Sequence, residues 1–149
     1  MMEELIRILT DTTKVLNDSL PLEKEKLKAV QEDRISALEE CMMKEQAIAL
    51  KMKGLEQKRE TFMEEHGYSG MTLKEIIEKT EGDDRSKMQA LLDEIVLAAQ
   101  NFSSYNDEAM KLIQLKQHTL EKASLADGGR TYGKDAQSIE TDHLLSRLL

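Results

Sequence analysis

The three histidines, His66, His118 and His143, stand far apart, with no HxxxH or HExxH spacing that would put two imidazoles on one helix face. They read as surface residues, and no metal site is expected. Cys41 is the lone cysteine. One thiol makes neither an internal disulfide nor a thiolate cluster, which fits a reducing compartment, and its place on an apolar seam suits a small core residue better than a nucleophile. Carboxylates abound but alternate with lysines, as in Glu23-Lys24-Glu25-Lys26, the pattern of a solvated helix face. Acid–base work needs a pocket that raises one pKa, and neither a glycine-rich loop nor an aromatic cluster suggests one. Gly128 to Lys134 fits GxxxxGK, the start of a phosphate-binding loop, but Asp135 stands where the motif needs Ser or Thr for Mg²⁺, and a helix precedes it instead of a strand. Asn101-Phe102-Ser103 is formally a glycosylation sequon, expected to be unused inside a helix seam. The expectation is a non-catalytic protein without cofactor or metal.

The composition is that of long helices. Aromatics make up 3%, there is no Trp, and Pro21 is the single proline, while charged residues reach 34% with Met, Leu, Lys, Glu and Ala prominent. A core of Leu, Ile, Met and Ala one side chain thick favours an elongated shape. The scattered methionines read chiefly as core filling, and at a binding surface they would serve an adaptable groove. The formal charge of −8 repels phosphate backbones, so no nucleic-acid partner is expected. The first residues, MMEELIRILTDTTK, carry acids and no signal-peptide run, and no stretch approaches ~18 uninterrupted apolar residues. A soluble, cytoplasmic chain with no membrane insertion is expected.

The elements follow from periodicity. Leu5, Leu9, Thr12, Leu16 and Leu20, with Ile8 and Val15 beside them, mark an amphipathic helix over about 2–20. Pro21, lacking the N–H an interior position needs, is expected to end or kink it and open a second helix over about 22–66. There Leu27, Cys41, Ile48, Leu55 and Phe62 follow a seven-residue repeat that Arg34 interrupts, and a companion seam alternates Leu38 and Met52 with Glu45 and Arg59. Gly67-Tyr68-Ser69-Gly70 ends this helix, and Thr72-Leu73-Lys74-Glu75 is a capping box for a short helix over 72–80. Glu81 to Asp84 forms a turn. A last helix over 85–126 carries a seam in steps of three and four through Leu91, Ile95, Phe102, Tyr105 and Leu112, and Asp127-Gly128-Gly129 stops it.

These readings predict an all-α fold: an elongated antiparallel helical hairpin, or three- to four-helix bundle, with coiled-coil character. The two longest helices would pair and the first would pack alongside. Residues 1–127 form the bundle, and 128–149 a flexible tail with a short amphipathic helix. In that tail Ile139, Leu145 and Leu149 share a helical face, with Leu144 and Leu148 beside them. About a dozen residues are too few for a stable isolated helix, so the tail must dock on something.

Four stretches in chain order resemble the FlgN family of flagellar type III export chaperones. KEQAIALKMKGLEQKRE, from Lys44, is similar to the family's KExLLxxLxxLExxR helix. His66-Gly67-Tyr68 followed by Met71 to Ile77 resembles its glycine loop and short helix. NDEAMKLIQL, Asn106 to Leu115, resembles its N-x-x-N-x-x-L-I helix, and Thr131 to Gln137 its Y-G-x-D-G-Q tail. Ala109 stands where a second Asn is usual, and Ala136 where Gly is usual. The resemblance spans about Leu5 to Gln137, and the YGKDxQ tail is its most discriminating piece.

The resemblance implies a bacterial, cytoplasmic chaperone that binds hook-associated proteins of the hook–filament junction and keeps their C-terminal helical segments soluble before export. It also implies binding through the C-terminal region, where Ile139, Leu144, Leu145, Leu148 and Leu149 would bury apolar area. Two other readings stand beside it: a structural coiled coil forming a homodimer or larger homo-oligomer, and a secretion chaperone for a different client.

Overall fold

In a computed structural model, residues 2–123 and Leu148 are described, and no strand occurs among them. Four helices follow one another: α1 (Glu3–Gln31), α2 (Ile35–Glu65), α3 (Leu73–Glu78) and α4 (Gly82–Ala123). The fold is an all-α helical bundle. The expected stop at 127–129 lies outside the described residues.

The first break falls elsewhere than expected. α1 runs straight through Pro21 to Gln31. Pro21 and Asn17, whose carbonyl the proline cannot serve, are both exposed, so the missing hydrogen bond falls on the solvent side where water can satisfy that carbonyl. Leu16, Ser19, Glu23, Lys26 and Val30 continue one buried face across the proline. The chain reverses instead at Glu32-Asp33-Arg34. Asp33 takes a left-handed conformation (φ 56°), the Arg34 N–H donates to the Ala29 carbonyl at 2.9 Å and the Asp33 N–H to Val30 at 3.3 Å. That is a Schellman ending with aspartate where glycine is usual. Lys116 of α4 closes it: its Nζ donates to the Val30 carbonyl (2.6 Å) and to Asp33 Oδ1 (2.6 Å), satisfying a helix-terminal acceptor with a cation.

A three-residue turn makes α1 and α2 antiparallel neighbours. The second turn conforms to the expected chemistry. Gly67 and Gly70 have φ of 77° and 78°, and the Thr72 hydroxyl accepts from the Glu75 N–H at 3.2 Å to cap α3. Asp83 and Asp84 sit in the first turn of α4, favourably placed toward its dipole.

The hairpin partners differ from expectation. α1, not α2, packs against α4, and α1 is the central helix, touching α2 on one side and α4 on the other; α3 rests on α4. Among the described residues no Cα of α2 comes within 8 Å of one in α4. Leu5 to Leu16 of α1 share a core with Met88 to Ala98 of α4, and Leu27 to Val30 share another with Ala109 to Ile113, so α1 and α4 run parallel. α3, Phe62 and Met63 close the first core; Leu38 closes the second.

Candidate functional site

Between the two apolar cores lies a polar node. Glu23 and Lys26 of α1, Glu45 of α2 and Asn106 of α4 are all at most 1% exposed. Lys26 Nζ donates to Glu45 Oε2 at 2.6 Å and to Asn106 Oδ1 at 2.5 Å, and lies 3.2 Å from Glu23 Oε1. One ammonium thus joins three helices. Among the described residues, Asn106 Nδ2 lacks a hydrogen-bond partner, and Glu45 Oε1 and the two Glu23 oxygens lack one until a proton is shared between the carboxyls. Burial, then a hydrogen bond to Glu45 that only the protonated acid can donate, push the Glu23 pKa up to about 9, against the pull of Lys26. With Glu23 neutral, one cation faces one anion and the node carries no net charge.

The residue spacing had marked Glu23 and Lys26 as part of a solvated face. They are buried because α1 keeps its phase through Pro21, while their neighbours Lys24 and Glu25 stay exposed. Extending the three-and-four rhythm of α1 past the proline would have found them. Glu45 and Arg59, read as polar interruptions of a seam, are buried too. Glu45 meets Lys26, and Arg59 makes a two-pronged pair with Glu56 (3.2 and 3.0 Å), so both charges are compensated. The node is sealed from solvent. It offers no access to a substrate and serves to hold three helices in register.

Along α4 the seam read from the spacing is buried at Ile95 and Phe102, and the buried face widens from it toward Leu92, Ala99, Asn106 and Ile113. Met88, Leu92, Ile95, Ala99, Phe102, Asn106, Ala109 and Ile113 are buried, whereas Leu91, Tyr105 and Leu112 are half-buried at the edge of the cores. A face that meets both α1 and α3 is wider than a two-stranded seam, and the polar Asn106 falls in it only because Lys26 waits there. Cys41 is buried and its thiol is pushed up by that burial, so it is held as a neutral core residue. His66 stacks on Phe62 with ring centroids 4.0 Å apart, and His118 is exposed.

Of the C-terminal residues singled out, Ile139, Leu144, Leu145 and Leu149, like His143, lie outside the described residues. Leu148 is described, and it is 1% exposed within the first core, among Leu5, Phe62, Ile76, Met88 and Ile95. Apolar side chains left uncovered sit elsewhere: Met43 and Leu50 on α2, and Leu97, Leu115 and Leu120 on α4. Two open clefts accompany them. One of about 460 Å³ lies between the end of α2 and the loop before α3, lined by Arg59, Met63, Glu64 and Met71. The other, about 360 Å³, lies between α3 and α4, lined by Lys74, Leu92, Asp93, Val96 and Leu97. Arg59 is already engaged by Glu56, so the first is no anion site. Among the described residues no helix is long and apolar enough to cross a membrane.

The chain matches the family model described as FlgN protein over residues 1–138. The comparison with curated proteins and that with solved structures give no significant match. Three positions within the stretches that carry the resemblance, Glu45, Arg59 and Asn106, are buried charged or polar residues with named partners, and Glu45 and Asn106 meet at Lys26 of α1. With the family model covering nearly the whole length of an all-helical bundle, the chain belongs to the FlgN family of flagellar export chaperones.

Proposed function

We propose that this protein binds hook-associated proteins of the flagellar hook–filament junction in the cytoplasm, before their export, and does so without enzymatic activity. The observation that carries this reading is the family match over residues 1–138. Physical support comes from apolar surface that the described helices leave uncovered. Leu97, Leu115 and Leu120 stand 60–66% exposed on α4, and an amphipathic client helix can cover such side chains in a groove. Ile139, Leu144, Leu145, Leu148 and Leu149 supply further apolar area at a spacing suited to the same contact.

The test is calorimetric titration of a purified hook-associated protein with wild-type chain and with Leu145→Glu. Binding by wild type and a loss of at least ~30-fold in the variant is expected, the size of a 2 kcal/mol hot spot. Absence of any heat with wild type would overturn the client assignment. A second reading, homodimerisation, is favoured by one observation: Met43 and Leu50 lie two turns apart on α2 and are 70% and 72% exposed. Light scattering over a range of concentrations decides it, a constant monomer mass ruling it out.

A further inference from the structure

Leu148 presents a conflict of roles. The proposed function counts it among the residues that grip a client, yet in the free chain it is 1% exposed inside the first core. A leucine cannot do both at once. Its location is also far from the end of α4. The α4 members of that core end at Ala98, about 25 residues before Ala123, which is roughly 38 Å along a helix. Leu148 nevertheless lies in that core, at the end of the bundle opposite Ala123.

We infer that the apolar seat formed by the start of α1, the end of α2, α3 and the start of α4 is a docking site whose occupant in the free protein is this chain's own Leu148, and that client binding requires Leu148 to leave it. The inference rests on the client reading above. Its physical content is a population tax: the binding-competent form is only the fraction in which the seat has released Leu148, so apparent affinity falls by that fraction. The seat is mixed in origin. Leu5, Phe62, Ile76 and Met88 come from four different helices, so occupancy by Leu148 also ties those helices together at this end.

Two measurements test it in the full-length chain. In the free protein, thiol labelling of Leu148→Cys should run at least ~10-fold slower than that of Lys111→Cys, which lies on an exposed face of α4, because a docked side chain reacts only through local opening. Equal rates would overturn the docking. Disulfide trapping then tests the competition. Leu148→Cys is paired in turn with Leu9→Cys and with Met88→Cys in a Cys41→Ala background, with helicity checked by circular dichroism. A cross-linked chain should bind a purified hook-associated protein at least ~10-fold more weakly than wild type and recover on reduction. Failure of both pairs to cross-link, or a locked chain that binds as well as its reduced form, overturns the inference while leaving the client reading intact. If the wild-type chain itself does not bind, the client reading fails and the competition with it.

Discussion

Glu23 is the residue whose chemistry departs furthest from its ordinary state. Its folded pKa of about 9 exceeds the usual 4.5, so the folded chain holds a proton that the unfolded chain releases. The stability this contributes is complete below about pH 4.5 and is lost as pH rises through 9, with a slope of at most about 1.4 kcal/mol per pH unit between them. Urea midpoints should therefore fall from pH 5 to pH 9 in wild type, and the fall should be much shallower in Glu23→Gln, which keeps the neutral shape and a donor. A flat wild-type profile would remove Glu23 from the account. Lys26 makes the stronger claim. Lys26→Met leaves Glu45 buried without its cation and is expected to cost about 3–5 kcal/mol in chemical denaturation, whereas adding Glu45→Leu to it should restore much of that. Equal losses in the single and double variants would mean that the pair is not coupled.

At the scale of elements, α1 tolerates a proline that local rules place at a helix end. The burial of Ser19, Glu23 and Lys26 on both sides of Pro21 outweighs a missing hydrogen bond on the solvent side. Pro21→Ala should thus stabilise the protein by about 1–3 kcal/mol, the helix-interior penalty of proline less the entropy that alanine returns to the unfolded chain. A higher melting temperature checks it; an unchanged or lower one would show that the proline shapes the packing of α1. The true reversal at Asp33 was foreshadowed only by Arg34 interrupting the seven-residue repeat. Nothing local distinguishes a Schellman ending on aspartate from a solvated stretch of helix, because Lys116, which neutralises it, lies more than eighty residues away. The Thr72 cap and the two glycine turns, by contrast, were legible because they are complete within six residues.

For the whole molecule, the position of Leu148 makes that side chain part of the fold's energetics. Leu148→Ala should lower stability by about 2–5 kcal/mol, as for a large-to-small change in a packed core, read from thermal melting. A change within about 0.5 kcal/mol would mean that the seat does not depend on this side chain. The same scale sets the arrangement of helices. α1 lies between α2 and α4, so the shortest of the three long helices carries most of the packing, and among the described helices only α1 runs along α2. The exposure of Met43 and Leu50 follows from that.

The sequence by itself determined that the chain is helical and that its turns lie at 67–70 and near 82, because backbone preference and three-four periodicity act over one or two turns of chain. It also carried the motifs of the FlgN family. Which helix stands at the centre, which charges are buried and where Leu148 sits were decided only by the tertiary structure. A lysine is a surface residue or the hub of a core according to what other helices bring within 3 Å of it, and for Lys26 those groups, Glu45 and Asn106, arrive from 19 and 80 residues away.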